Sequence, residues 1–317
     1  MANKYYYTSQ DLIDSVKRRI NIPDSQDMIT DNEILLYANE EMELNLVPLI
    51  LSKREDYFLI SELFPLVEDK LEYPIPYRAI GNKLREVARS IEGDDVIAMS
   101  RVSIDEVTTS GTFSGGTYTY KFYIMNENIC LMPKTTNLTG YLKVYYDIRP
   151  NSLVLPEKCA VVTGIDLTTG IITVSNIPTE FTLSQQYDFV KEKSPHRILS
   201  FDLNLTDINS GGLYVQMAID EIPEGLAVGD HLCLAGETDV VNCPSEMHVY
   251  LAQSVATRIL ESVGDMENLK SANEKLQKME YNSGAILDNR VDGSSIKAKP
   301  RNGFLSRRYS RRRLRNF

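Results

Sequence analysis

The chain has 317 residues and a formal net charge of −10, with 43% hydrophobic and 25% charged residues, a balance that fits a folded globular protein and not a disordered or fibrous one. No apolar run reaches the ~18 residues needed to span a bilayer, and the opening MANKYYYTSQDL lacks the apolar core of a secretory leader. Four cysteines, Cys130, Cys159, Cys233 and Cys243, are too sparse for a disulfide framework and point to free thiols in a reducing compartment.

The two ends of the chain carry helical periodicity. Thr8 and Asp11 make a capping-box-like start, followed by Leu12, Ile13, Val16 and Ile20 at helical spacing, and Pro23 ends the segment. A second box, Thr30 with Glu33, precedes Ile34, Leu35, Ala38, Met42, Leu46 and Leu49 on one helix face. Pro48 lies inside that pattern and predicts a kink or a split. Glu40, Glu41 and Glu43 fall on the side expected to face solvent.

From about residue 57 the period shortens to the strand-like pieces YFLISELF and KLEYPIP. Ile80, Leu84, Val87 and Ile91 then return at helical spacing and predict a turn or short helix over 77–91. Alternating segments follow: VIAMSRVSIDEV, TYTYKFYIM, NICLMP and GYLKVYYDI, with SGTFSGG as a hairpin loop. TGIDLTTGIITV predicts two strands around a Thr-Gly turn, and HRILSFDL, GGLYVQMAI and DHLCLAG predict further strands. Breaks every ten or so residues, with no long helix between strands, predict a small barrel or sandwich rather than βαβ units. Helix returns at Pro244 with Met247, Leu251, Val255, Ile259 and Leu260 as a buried stripe; Leu269, Leu276 and Met279 continue it past Gly264, and Ser283 and Gly284 are expected to close it.

These patterns predict an α+β fold. A helical bundle formed by the N- and C-terminal segments carries an inserted antiparallel β-rich domain, barrel or sandwich, and an extended basic C-terminal arm. The expected boundaries are 1–92 for the N-terminal helical part, 93–240 for the β-rich insert, 241–290 for the C-terminal helical part and 291–317 for the arm.

Charge is segregated along this plan. Residues 297–317 contain two lysines, seven arginines and no acid, a formal +9, while the first 296 hold 25 basic against 44 acidic residues, a formal −19. An acidic body with one basic end is suited to a negative partner met through that end, either nucleic acid or an acidic protein surface. Within the arm, Lys297, Lys299, Arg301, Arg307, Arg308, Arg311, Arg312, Arg313 and Arg315 are interleaved with Tyr309 and end in Phe317. Arginine grips phosphates and carboxylates in a forked geometry and stacks on bases; Tyr309 adds a stacking face, and Phe317 could anchor in a pocket.

Catalytic chemistry finds little support. No G-x-S-x-G, H-E-x-x-H or G-x-x-x-x-G-K-[ST] occurs. The adjacent acids Glu40/Glu41 and Asp94/Asp95 carry no mark of a shared proton. His231 and Cys233 share a strand face, with Cys243 and His248 close behind, but neither C-x-x-C nor H-x-x-x-H is present and the spacing argues against zinc. The expectation is therefore a protein that is not an enzyme, with no catalytic residues, metal or cofactor.

The capped first helix, its Pro-containing link, the T-x-x-E helix running into VPLILSKREDYFLI, and EYPIPYRAIGNKLREV resemble the head-to-tail adaptor, or connector ring, proteins of tailed bacteriophages, in particular short-tailed, crAss-like ones. ATRILESVGDMENLKSANEKLQKME near the other end is similar to the same family. The resemblance covers about the first ninety and last seventy residues, and not the β-rich middle. It implies a structural virion protein at the portal vertex, made in the host cytoplasm and not membrane-bound. Such a protein forms a homo-oligomeric ring, commonly twelve-fold, beneath the portal protein, contacts other neck or tail rings, and lines the channel through which genomic DNA leaves. The arm is then the portal-docking element. The alternative is a nucleic-acid-binding accessory protein that uses the same arm.

Overall fold

The computed structural model describes residues 7–20, 29–91, 96–105, 120–132, 140–193 and 195–287. It is a mixed α+β structure, with antiparallel sheets in the middle of the chain and helices before and after them.

The early helices start where their caps dictate. α1 (Ser9–Ile20) opens with Asp11 Oδ2 accepting from the Thr8 amide at 3.0 Å while Thr8 Oγ1 accepts from the Asp11 amide at 3.3 Å. α2 (Asp31–Glu41) repeats the device with Thr30 and Glu33, the Thr30 amide reaching Glu33 Oε2 at 2.7 Å. Each box satisfies donors that the first helical turn leaves free. The expected break at Pro48 takes the form of a π-helical turn, Met42–Leu46, that delivers the chain to α3 (Val47–Lys53). Proline has no amide to give and its ring crowds the carbonyl four residues back, so the wider turn makes room ahead of it.

α4 (His248–Val263) is the centre of the helical layer. Eleven of its sixteen residues are buried, which leaves it no broad solvent face. Leu251, Val255 and Ile259 meet Leu12 and Val16 of α1, Ile34 and Ala38 of α2, and Ile50 of α3 in one cluster. Each of the Leu, Ile and Val side chains contributes about 1.5–3 kcal/mol on burial. Gly264 ends α4 at φ 80°, where its amide and that of Asp265 both reach the Leu260 carbonyl at 3.1 Å, a left-handed cap that glycine adopts without a Cβ clash. α5 (Met266–Leu287) then folds back along α4. Ser283 and Gly284 do not close it. They are buried inside it, and the helix runs on to Leu287, which packs into the helical cluster.

Strands begin at Leu59, ahead of residue 93. A first group forms two four-stranded sheets. β1 (Leu59–Pro65), β8 (Tyr141–Ile148), β3 (Ala79–Ser90) and β4 (Val96–Ala98) make one in that order; β2 (Glu72–Pro74), β7 (Asn128–Met132), β6 (Lys121–Met125) and β5 (Ser100–Arg101) make the other. Only β5 and β6 run parallel within these sheets. Both sheets contribute to one core that includes Tyr73, Val87, Phe122, Ile129, Leu142, Val144 and Tyr146. The helix expected over 77–91 is β3. Gly81 and Asn82 take positive φ and open a bulge, so that Ala79 pairs with Ile148 but Leu84 with Tyr146. The extra residues shift the apolar positions out of period two and mimic helical spacing.

A second, seven-stranded sheet has its own core. Its order is β13 (Ile198–Asn204), β12 (Gln186–Val190), β16 (His231–Leu234), β10 (Ala160–Asp166), β11 (Ile171–Val174), β15 (Tyr214–Gln216) and β14 (Asp207–Asn209). Val162, Ile172, Tyr187, Phe189, Val215 and Leu232 fill it. The expected Thr-Gly hairpin joins β10 to β11. Asp166 accepts from Thr168 and Thr169, which holds its carboxyl down to about 2, and Gly170 stands at φ 71°. The middle of the chain thus builds two cores where the sequence suggested one barrel or sandwich. The two-residue strands β9 (Ser152–Leu153) and β17 (Glu237–Thr238) pair in parallel beside the helices, and Asn39 of α2 bonds the Leu153 main chain at 2.6 and 3.1 Å. The SGTFSGG loop lies outside the described residues.

Candidate functional site

Every residue of the expected arm, 291–317, including Lys297 through Phe317, lies outside the described residues. What is described is the element that leads to it. The last turns of α5 are seated on the helical layer by Ser283, Gly284 and Leu287, and Gly284 leaves room for Lys53 of α3, whose Cε would lie 3.7 Å from a Cβ at that position.

The strongest polar construction joins the two β cores. Arg78, in the turn before β3, is buried and sends Nη1 to Asp188 Oδ2 at 2.7 Å and Nη2 to Asp188 Oδ1 at 3.0 Å. Nη2 also reaches Asp202 Oδ1 at 2.6 Å, and Nη1 reaches Asn151 Oδ1 at 3.2 Å. Asp188 is fully buried on β12 and accepts further bonds from Asn151 Nδ2 and from the amides of Gly236 and Asp202. Its charge is therefore met by a forked cation and three neutral donors, the condition under which an ion pair tolerates burial. Phe201 and Tyr77 lie against the guanidinium plane, with centroids 5.2 and 5.7 Å away. Burial opposes the charge, but Asp188 and its neighbours outweigh it and raise the Arg78 pKa. The group ties the turn before β3 to β12 and β13, and so acts as a clasp between the two cores.

The four residues weighed for zinc in the sequence divide between two places: His231 and Cys233 lie on β16, whereas Cys243 is buried in the helical cluster close to His248 at the start of α4. His231 and Cys233 of β16 face Asp239 and a cysteine the sequence did not single out, Cys159, all four buried. His231 Nδ1 lies 2.8 Å from Asp239 Oδ1 and 2.9 Å from Oδ2, and Cys233 Sγ lies 3.8 Å from Oδ1. Burial pushes both thiols up. The register of β10 with β16, Ala160 to Leu232 and Val161 to His231, sets Cys159 opposite Cys233 when continued by one residue.

His248 goes elsewhere. It stacks on Tyr7 at 4.5 Å between centroids and approaches His196 at 5.3 Å. Burial, then the neighbouring His196, lower the His248 pKa to about 4, and burial lowers that of His196. Both ring nitrogens of His196, Nε2 of His248 and both amide atoms of Asn242 are buried without a protein hydrogen-bond partner of good geometry. His196 and Asn242 also line a cavity of about 70 Å³ walled by Tyr57, Phe58, Ile60 and Ile148, where the helical layer meets the first β core. Polar atoms around a space of that size suit bound water.

The acid pair Glu40/Glu41 is not a solvated face. Glu41 is buried and accepts from Ser254, from Asn45 at 2.8 Å and from Arg258 at 2.9 Å, while Glu40 takes the second arm of Arg258. Burial raises the Glu41 pKa, but these donors together outweigh it and leave the carboxyl below its ordinary value. Asp94 and Asp95 lie outside the described residues. Among the described residues no helix is long and apolar enough to cross a membrane.

No family model matches this chain, and no curated protein matches it.

Proposed function

We propose that this chain is a structural connector of a tailed-phage neck, a ring protein beneath the portal whose basic C-terminal arm docks to that portal. On this reading α1–α5 are the connector's helical bundle, built from both ends of the chain, and the two β cores are the insert that meets neighbouring rings. The observation that carries the proposal is the seating of α5. Its last turns are fixed on the helical layer at Leu287, while the formal +9 begins ten residues later on a body of formal −19. A cationic arm that leaves from a fixed root can reach an acidic groove on another subunit while the body holds its place in a ring. The acidic body also suits a channel through which genomic DNA must slide without being held. A ring contact is head-to-tail, so two different patches of one subunit would match each other.

Deletion of residues 297–317 tests this. The truncated chain is expected to keep its thermal stability and to lose association with the portal in a pull-down from infected cells. Retention of portal binding by the truncated chain would overturn the docking role. A second reading rests on the sequence RRYSRRRLRNF, whose alternation of arginine with Tyr309 also fits single-stranded nucleic acid. It predicts binding that falls steeply between 50 and 200 mM salt, a slope the arm's deletion would abolish.

A further inference from the structure

We propose that Cys159, Cys233 and Asp239 hold a zinc ion, with His231 orienting the Asp239 carboxylate. The three ligand atoms lie within 4.8 Å of one another, all are buried, and they come from two stretches of chain, Cys159 from one and Cys233 with Asp239 from the other. That donor set, two sulfurs and one carboxylate oxygen, is the soft-to-borderline mixture that zinc selects over magnesium or calcium. The distances agree with a tetrahedron. With Zn–S near 2.3 Å and Zn–O near 2.0–2.2 Å, a sulfur–oxygen edge is about 3.5–3.7 Å, against 3.8 Å for Cys233 Sγ to Asp239 Oδ1. His231 supplies what ligating carboxylates ordinarily have, a partner that fixes their direction. Three protein ligands leave the fourth position to a solvent molecule.

The chemistry balances simply. Zn²⁺ enters, each thiol gives its proton to solvent, and two Zn–S bonds replace two S–H bonds with no change of oxidation state. Both thiols are buried, and the ion supplies at bonding distance the opposite charge that a buried thiolate requires.

The ion would sit at a useful place. Cys233 belongs to β16 of the second β core, and Cys159 immediately precedes the adjoining strand β10. Asp239 begins the segment that binds α1: its carbonyl accepts from the Ser9 amide at 2.7 Å, Val240 bridges Thr8, and the Val241 amide reaches Tyr7 at 3.1 Å. Zinc would therefore staple that segment, and α1 with it, to the sheet. This inference stands apart from the connector reading and neither depends on the other.

The test uses the full chain produced under reducing conditions with zinc present, then dialysed. Elemental analysis is expected to give one zinc per chain, and replacement by cobalt should give thiolate charge-transfer absorption with the visible bands of a tetrahedral ion. Cys159→Ser, Cys233→Ser and Asp239→Asn should each lose the metal, and His231→Gln should bind it ten- to a hundredfold more weakly. Because a variant could fail to fold, the wild-type cobalt spectrum decides independently. Substoichiometric zinc in the folded wild type, cobalt bands without sulfur charge transfer, or a metal-free Cys159–Cys233 disulfide two mass units lighter would each overturn the site. Unchanged affinity in His231→Gln would overturn the orienting role.

Discussion

Replacing Arg78 by Met should destabilise the fold strongly. The substitution keeps much of the stem's volume but removes the two bonds to Asp188, one to Asp202 and one to Asn151. Asp188 would then be a fully buried carboxylate facing only Asn151 and two backbone amides. Breaking a buried pair from one side costs about 3–5 kcal/mol; the three remaining donors offset part of this, which sets the expectation near 3 kcal/mol. That is a large share of the roughly 5–15 kcal/mol that holds a domain folded. Urea unfolding followed by far-ultraviolet circular dichroism should show the midpoint falling by about 1 M, for a slope near 3 kcal/mol/M. Because the clasp spans both β cores, the variant's transition should also broaden or split. In a cycle with Asp188→Asn, the double variant should recover part of the loss, with a coupling of about 1–3 kcal/mol. A loss below about 1 kcal/mol, the range of an exposed ion pair, would refute the argument that this arginine locks the two cores together.

His248 predicts acid sensitivity. Its pKa is depressed in the fold, so the unfolded chain takes up a proton first; stability should be full above pH 6.5 and fall by about 1–3 kcal/mol as pH drops toward 4. His248→Phe, which keeps the stack on Tyr7, should flatten that part of the profile in melts run from pH 4 to 7. Gly170→Ala would place a Cβ 2.3 Å from the Met217 carbonyl oxygen at φ 71°, and a loss of about 1–3 kcal/mol in denaturant titration is expected. Glu41→Ala strands Ser254 and Arg258 within the helical layer; a cost of about 2–3 kcal/mol is expected, and a melting temperature within a degree of wild type would contradict it.

Local chemistry was legible where one short stretch settles it. The boxes at Thr8/Asp11 and Thr30/Glu33, the break ahead of Pro48 and the Thr-Gly hairpin all follow from residues a few positions apart. What failed to show depends on distant partners. Glu41 looked solvated because Arg258 and Ser254 come from the far end of the chain. Cys159 carried no signal because only the pairing of β10 with β16 brings it to Cys233. Arg78 gave no warning, since Asp188 and Asp202 lie on strands of a core the sequence did not separate from the first. β3 was disguised by its own bulge, which gave a strand the apolar spacing of a helix.

The position of α4 has a consequence for synthesis. The helix on which α1 and α2 pack is made near the end of the chain, after both β cores. A chain still emerging from the ribosome can fold its sheets while α1, α2 and α3 wait with apolar faces uncovered. They find cover only once residues 248–263 have been released, shortly before the cationic segment itself is finished. A chain released before residue 248 would therefore keep its sheets but leave the apolar faces of α1 and α2 uncovered, whereas one that stops after residue 287 would hold the complete helical layer.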